Sequence, residues 1–225
     1  MDISDLKIEN NIGPKKNDAL IIIDMQYDFI PGGALPVEGG GDIIDEINKI
    51  AGLFKKNHNV VVLTQDWHPE NHMSFASNHP GKNPGDEYSE KGIGPILWPN
   101  HCVQATKGAE FHKDLDTFSA SAIIRKGTNP KVDSYSAFKD NLKEEETGLR
   151  GYLNNLKVNR IFLCGLALDY CVYYTAIDGI EFGFDVNIII DATKGIDDPE
   201  GSISNALEDM ENKGVKFTKT DNFNL

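Results

Sequence analysis

The sequence predicts an α/β fold of three layers, with a mostly parallel sheet of about six strands held between helices. Short apolar runs of strand length recur along the chain, and three of them end in an acid: residues 19–24 (ALIIID), 60–66 (VVVLTQD) and 186–191 (VNIIID). Stretches of helical spacing alternate with these runs, the βαβ rhythm of a parallel sheet. Runs that are apolar throughout, rather than at every second residue, need cover on both faces.

Taken in order, a polar lead over residues 1–18 precedes a domain expected over residues 19–225. The first strand, 19–24, is followed by a helix over 42–57. In it Ile43, Ile44, Ile47, Ile50, Leu53 and Phe54 form one stripe, and Asp42 is placed to cap the first turn. Strands follow at 60–66 and 122–126 (AIIRK), then a helix from about 147 to 156 and a strand over 161–164. That strand breaks at Gly165 and passes into a helix carrying Tyr170, Val172, Tyr173, Ala176 and Ile177. A strand at 186–191, a helix over 199–213 and a short strand at 215–218 complete the pattern. Residues 143–146 (KEEE) read as a solvated helix face. Two aperiodic stretches, 66–107 and 127–138, are rich in Gly, Pro, Asn, His, Ser and aromatics. Loops of that length are functional or disordered, and the aromatics argue for function.

A net charge of −13 with a pI near 4.8 argues against a nucleic-acid partner and against an anionic membrane surface. The three cysteines, Cys102, Cys164 and Cys171, form an odd set without a CxxC pair, so neither a disulfide framework nor a zinc ribbon is indicated. The first sixteen residues lack the apolar segment of a signal peptide, and no run is long enough to span a bilayer. A soluble cytoplasmic protein is expected, with a small molecule as its partner; a homo-oligomer is compatible with the sequence but not readable from it. Neither GxGxxG nor GxxxxGK[ST] occurs, which removes the usual grounds for a dinucleotide or a nucleoside triphosphate.

In open α/β sheets ligands sit beyond the carboxyl ends of the strands. Here Asp24, Asp66 with His68, Lys126 and Cys171 collect at or beyond four such ends. Cys171 falls near the start of a helix, where unpaired N–H groups and the helix dipole favour a thiolate, although cysteine on an aromatic-rich helix also serves as core filler. A cysteine nucleophile needs a base and an oxyanion site. Asp24 suits the first role, unless it merely caps a turn. Lys126, unless a snorkelling surface lysine, would hold the ionised partners in register and lower the pKa of both acid and thiol. Backbone donors for an oxyanion could converge at the turn of Gly165, Leu166 and Ala167. Asp66 and His68, two apart on a strand exit, with His101 from the long insertion, make a mixed N/O set with open positions. Such ligands suit Zn²⁺, and also Fe²⁺ or Mn²⁺. His72 and His79 read as outer or surface histidines, Cys102 as packed and Cys164 as core.

The segments IIIDMQYDFIPGGALPV, TQDWHPENHMSFA, WPNHCVQ, KG followed by DSYSAF, and GLALDYCV occur in an order that resembles the nicotinamidases of the isochorismatase-like cysteine hydrolase superfamily. The resemblance spans residues 19 to about 219. It implies an isochorismatase-like, Rossmann-like topology, a divalent metal ion, most often zinc, and a catalytic triad at Asp24, Lys126 and Cys171. It further implies metal ligands at Asp66, His68 and His101, and a substrate ring held by Phe29, Trp98 and Tyr135. The N–H groups of Ala167 and Cys171 would form the oxyanion hole, with a cis peptide before Ala167. The implied substrate is nicotinamide, hydrolysed to nicotinate and ammonia through a cysteine thioester in NAD salvage. Leu168 stands where many relatives carry threonine, and His72 is the one good candidate for the fourth metal ligand that some relatives recruit. Amidohydrolases of the N-carbamoyl or ureidoacrylate type share the triad but lack the DWH and WPNHC segments. A non-catalytic binding protein on the same fold is the reading from another class.

Overall fold

Six strands form one sheet: β1 (Asp18–Ile23), β2 (Val60–Asp66), β3 (Ala122–Lys126), β4 (Arg160–Leu166), β5 (Asp185–Lys194) and β6 (Lys216–Thr218). Their order is β3-β2-β1-β4-β5-β6, and every pairing between neighbours is parallel. The structure, a computed structural model, describes residues 3–10 and 12–223, so Met1, Asp2 and Asn11 of the lead lie outside it, as do Asn224 and Leu225.

β1 is buried along its length, and its side chains alternate between two cores. Ile21 and Ile23 share one core with Ile161 and Leu163; Leu20 and Ile22 share the other with Phe162 and Cys164. α1 (Ile44–Lys56) covers the second face through Ile44, Ile47, Ile50 and Phe54. α2 (Leu149–Asn155), α3 (Tyr173–Glu181) and α4 (Ser202–Asn212) cover the first through Leu149, Leu153, Ala176, Leu207 and Met210. Each buried isoleucine or leucine contributes about 1.5–3 kcal/mol, so these two cores are the main cohesion of the three layers. The predicted architecture is the observed one.

Three details differ from expectation, and the structure adds a fourth on which the sequence was silent. Asp42 does not cap α1: the helix begins two residues later with Ile43 at the cap position and no side-chain cap, while the Asp42 amide closes a glycine-rich turn onto the Gly39 carbonyl. Residues 143–146 are exposed but not helical. The Asp140 carboxylate accepts from the amides of Glu144 and Glu145, and Lys143 takes φ 63°, which makes a turn of them. β3 is an edge strand, so Ile123 stays 51% exposed despite its apolar sequence. Part of the lead is tied down: Ile8 bridges Phe217 beside β6, and Leu6 enters a core.

The chain runs outward from β1 through β2 to β3, then returns to β4 on the other side of β1. That reversal opens a crevice at the carboxyl ends of β1 and β4. Gly165 permits the two strands to close there: its φ is 105°, and a Cβ would stand 2.1 Å from the Ile23 carbonyl oxygen.

Candidate active site

The parallel register of β2 and β3 sets Asp66 beside Lys126, a pairing that sequence reasoning missed. Lys126 is 2% exposed, and its ammonium lies 2.9 Å from Asp24, 2.5 Å from Asp66, 3.1 Å from the Ser134 carbonyl and 3.4 Å from Cys171 Sγ. Oxygens of Asp24 and Asp66 and the Cys171 sulfur all fall within 4.8 Å of one another. Asp24 leaves β1 at φ 49°, a left-handed conformation that aspartate tolerates better than most residues, and Thr64 donates to its carboxylate at 2.7 Å.

Burial governs the charges. It pushes the Cys171 thiol well above its usual range, with Lys126 pulling the other way, and it raises the Asp24 carboxyl against the same opposition. The expected lowering of both groups by Lys126 is therefore present as an influence but outweighed, because neither group reaches water. Asp66 also bears the cost of burial, yet Lys126 and His68 hold it well below the ordinary carboxylate range. Lys126 is buried too, and Asp24 with Asp66 keep it firmly protonated.

Beyond β4 the Leu166–Ala167 peptide is cis, as the resemblance implies. Cys171 sits in a π-helical turn, Leu168–Val172, just ahead of α3 rather than in the first turn of a regular helix. The amides of Tyr170 and Val172 donate to the Ala167 carbonyl at 3.1 and 3.0 Å, and the Cys171 carbonyl accepts from Thr175 Oγ1 at 2.6 Å. Asp169 anchors this turn to the loop before α4: it accepts from the amides of Ile196 and Asp197, both at 2.9 Å, and from Ser202 Oγ. Leu168 is buried in the core.

Ligand atoms of Asp66, His68 and His101 also converge within 4.8 Å, all three residues being buried. Gln26 clamps the backbone of Asp66, accepting from its amide and donating to its carbonyl, both at 2.8 Å. The long insertion is folded back by hydrogen bonds from the His68 amide to the Cys102 carbonyl, 3.0 Å, and from the Gln104 amide to the His68 carbonyl, 2.9 Å. His101 is brought to His68 in this way. His68 Nδ1 lies 2.9 Å from the Gly127 carbonyl and His101 Nδ1 2.8 Å from the Pro99 carbonyl. Carbonyls only accept, so both Nδ1 atoms carry a proton. Burial opposes a charge on His68, but Asp66, with Oδ2 3.5 Å from His68 Nε2, raises that imidazole above its ordinary range. A cation entering here therefore displaces a proton held between His68 and Asp66. Burial, with His68 beside it, pushes His101 down to about 4, so it is neutral near pH 7. A carboxylate and two imidazoles, each oriented by an Nδ1–H bond to a carbonyl, are a donor set that fits a divalent cation.

His72 is fully buried with its ring 4.3 Å from that of His68, so it is not a surface residue; its ligand atoms group with His68 and Asp133 rather than with Asp66 and His101. His79 instead bonds the Met73 carbonyl at 2.7 Å and packs on Tyr88. Cys102 and Cys164 are buried and free. Phe29, Trp98 and Tyr135 line the same cleft as Asp66, His68, His101, Ala167 and Cys171. Trp98 Nε1 donates to Tyr135 Oη at 3.0 Å, and Tyr135 Oη donates to the Gly94 carbonyl at 2.8 Å. Their polar tips are thereby satisfied by protein, and the rings are left to make apolar contact.

A parallel sheet whose switch point gathers these groups is the architecture of a hydrolase of the isochorismatase type, and the isochorismatase domain model matches residues 18–222. The chain is 45% identical to the nicotinamidase of Acinetobacter baylyi over 210 residues, which cover 93% of this chain and 95% of that protein. The structure is similar to that of PnC1 from L. infantum in complex with nicotinate, with TM-score 0.81 and 38% identity, covering 94% of this chain and 98% of the other. It is also similar to the pyrazinamidase of Pyrococcus horikoshii in complex with zinc, with TM-score 0.74 and 41% identity, covering 90% and 99% respectively. The chain belongs to the nicotinamidases of the isochorismatase-like superfamily.

Proposed function

We propose that Cys171, Asp24 and Lys126 hydrolyse nicotinamide to nicotinate and ammonia, the NAD-salvage reaction of the nicotinamidases, by way of a thioester. The observation that carries this reading is the ammonium of Lys126, which touches Asp24, Asp66 and Cys171 Sγ at once and so joins the nucleophile to the metal donors in one buried cluster.

Asp24, raised by burial, is a base strong enough to accept the thiol proton when substrate arrives. Lys126 donates to the sulfur as it becomes anionic. The sulfur attacks the carboxamide carbon, and the carbonyl π pair moves to oxygen, where the N–H groups of Ala167 and Cys171 receive it. Collapse breaks the C–N bond while Asp24 returns its proton to nitrogen, releasing ammonia and leaving the thioester. A water then attacks, giving its proton to Asp24, and the second collapse expels the Cys171 thiolate and frees nicotinate. The rings of Phe29, Trp98 and Tyr135 hold the pyridine so that its carboxamide meets Cys171.

Asp66, His68 and His101 would hold a divalent metal, for which we propose zinc; when bound it supplies a Lewis-acidic anchor for the pyridine nitrogen. Support for zinc comes from the two imidazoles oriented by their Nδ1–H bonds and from the zinc complex of the P. horikoshii relative.

Release of ammonia from nicotinamide by the purified protein, measured beside Cys171→Ala and a chelated sample, tests this. Loss of turnover in the variant and weakened turnover after chelation are expected. Undiminished hydrolysis by Cys171→Ala refutes the covalent route.

A further inference from the structure

Three imidazoles crowd one side of the cleft, and they are not alike. In His68 and His101 the Nδ1 proton is committed to a carbonyl. In His72 the arrangement is reversed. The Ser74 backbone amide donates to its Nδ1 at 3.2 Å, with Ser74 Oγ at 2.7 Å from the same atom. A backbone N–H only donates, so Nδ1 of His72 is the acceptor and the proton of the neutral ring sits on Nε2. That nitrogen is buried and has no hydrogen-bond partner among the described residues. A protonated Nε2 has no lone pair, so to ligate a cation His72 would have to move its proton to Nδ1 and give up the bond from the Ser74 amide.

Such an orphaned donor calls for an acceptor. Asp133 supplies the nearest chemistry: it is 2% exposed, and a carboxylate oxygen of Asp133, a nitrogen of His72 and a nitrogen of His68 lie within 4.8 Å of one another. Since His72 Nε2 makes no direct bond while its ring lies this near the Asp133 carboxylate, one intervening water can join the two. A water seated there has three of its four valences assigned. One lone pair accepts from His72 Nε2–H, one proton goes to Asp133, and the second lone pair is free for a cation held by His68.

We propose that His72 stands outside the metal's ligand set and forms, with Asp133, a donor–acceptor pair that seats one water on the flank of the metal site. The pair orients that water and, through the Asp133 carboxylate, makes it a better donor to the cation. The proposal rests on Asp66, His68 and His101 being the metal's ligands.

The test is nuclear magnetic resonance of isotope-labelled imidazoles in the full-length protein loaded with cadmium. His68 and His101 should show protonated Nδ1 and scalar coupling of Nε2 to the metal. His72 should show protonated Nε2, bare Nδ1 and no coupling. Absence of coupling at His68 and His101 defeats the metal reading itself and the proposal with it. Coupling there together with coupling at His72, or a proton on His72 Nδ1, defeats the proposal alone. Asp133→Asn retains an oxygen for the Ser134 amide, which Asp133 Oδ1 accepts at 2.8 Å, but replaces the other oxygen with a donor. Its metal affinity, by chelator competition, should fall about 10–100-fold while the metal-free unfolding transition matches wild type. Unchanged affinity overturns the role of Asp133.

Discussion

Replacing Lys126 with methionine keeps an unbranched side chain one atom shorter and removes its charge. Oxygens of Asp24 and Asp66 then face one another within 4.8 Å with no cation between them. At an effective dielectric constant of about 20, two unit charges at that separation repel by roughly 3 kcal/mol. Removing one partner of a buried ion pair typically costs about 3–5 kcal/mol, so a loss of that order is expected at neutral pH. Asp24 moderates it by taking a proton, since burial already raises its carboxyl. The pH dependence has a definite sign. Lys126 helps hold Asp66 below the ordinary carboxylate value, so its stabilisation is complete above about 3.9 and disappears as pH falls below it. Urea unfolding should therefore show the widest gap between wild type and Lys126→Met at neutral pH, closing below pH of about 4. Ammonia release should fall as well. A charge-assisted hydrogen bond to the sulfur is worth about 1.5–3 kcal/mol, or roughly 10–100-fold in rate. Equal stability at neutral pH, or a gap that widens on acidification, refutes the reasoning.

Asp24→Asn should abolish turnover and destabilise less than Lys126→Met, because burial already works against the charge of Asp24 and Asp66 remains to pair with Lys126; calorimetry beside an ammonia assay checks both halves. Gly127→Ala places a Cβ 2.3 Å from His68 Cε1 at a backbone φ of 65°, so chelator competition should show metal affinity reduced by about tenfold or more. Tyr135→Phe leaves the Trp98 indole N–H without its acceptor. A stability loss of about 1–3 kcal/mol is expected, with KM raised more than kcat is lowered, from unfolding curves and steady-state kinetics.

The layers were legible because runs such as ALIIID have no polar face and so admit only a doubly covered strand. Where neighbours decide, pattern alone misleads: β3 reads as a buried strand, yet it lies at the edge and Ile123 faces out. Local propensity misplaced Asp42 because three glycines, Gly39 to Gly41, offer the backbone a turn that delays the helix. Around the cleft, acids and bases at strand ends were visible, but their supports were not. Gln26 works through a neighbouring strand, Gly127 through its carbonyl, and Asp133 across the cleft, and none of these contacts has a spacing along the chain. A signal existed for Gly127, since a glycine immediately after Lys126 marks close backbone approach. The acid of DSYSAF likewise precedes a residue of the ring pocket. The charge state of Cys171 was beyond sequence, because it depends on burial that only tertiary structure sets.

The most direct measurement is mass spectrometry of the protein quenched in acid while it turns over nicotinamide. One nicotinoyl group on the peptide that carries Cys171, absent from Cys171→Ala, is the predicted result. Steady hydrolysis with no acyl adduct at any quench time in a pre-steady-state series, or an adduct borne by another residue, contradicts the assignment of Cys171 as nucleophile.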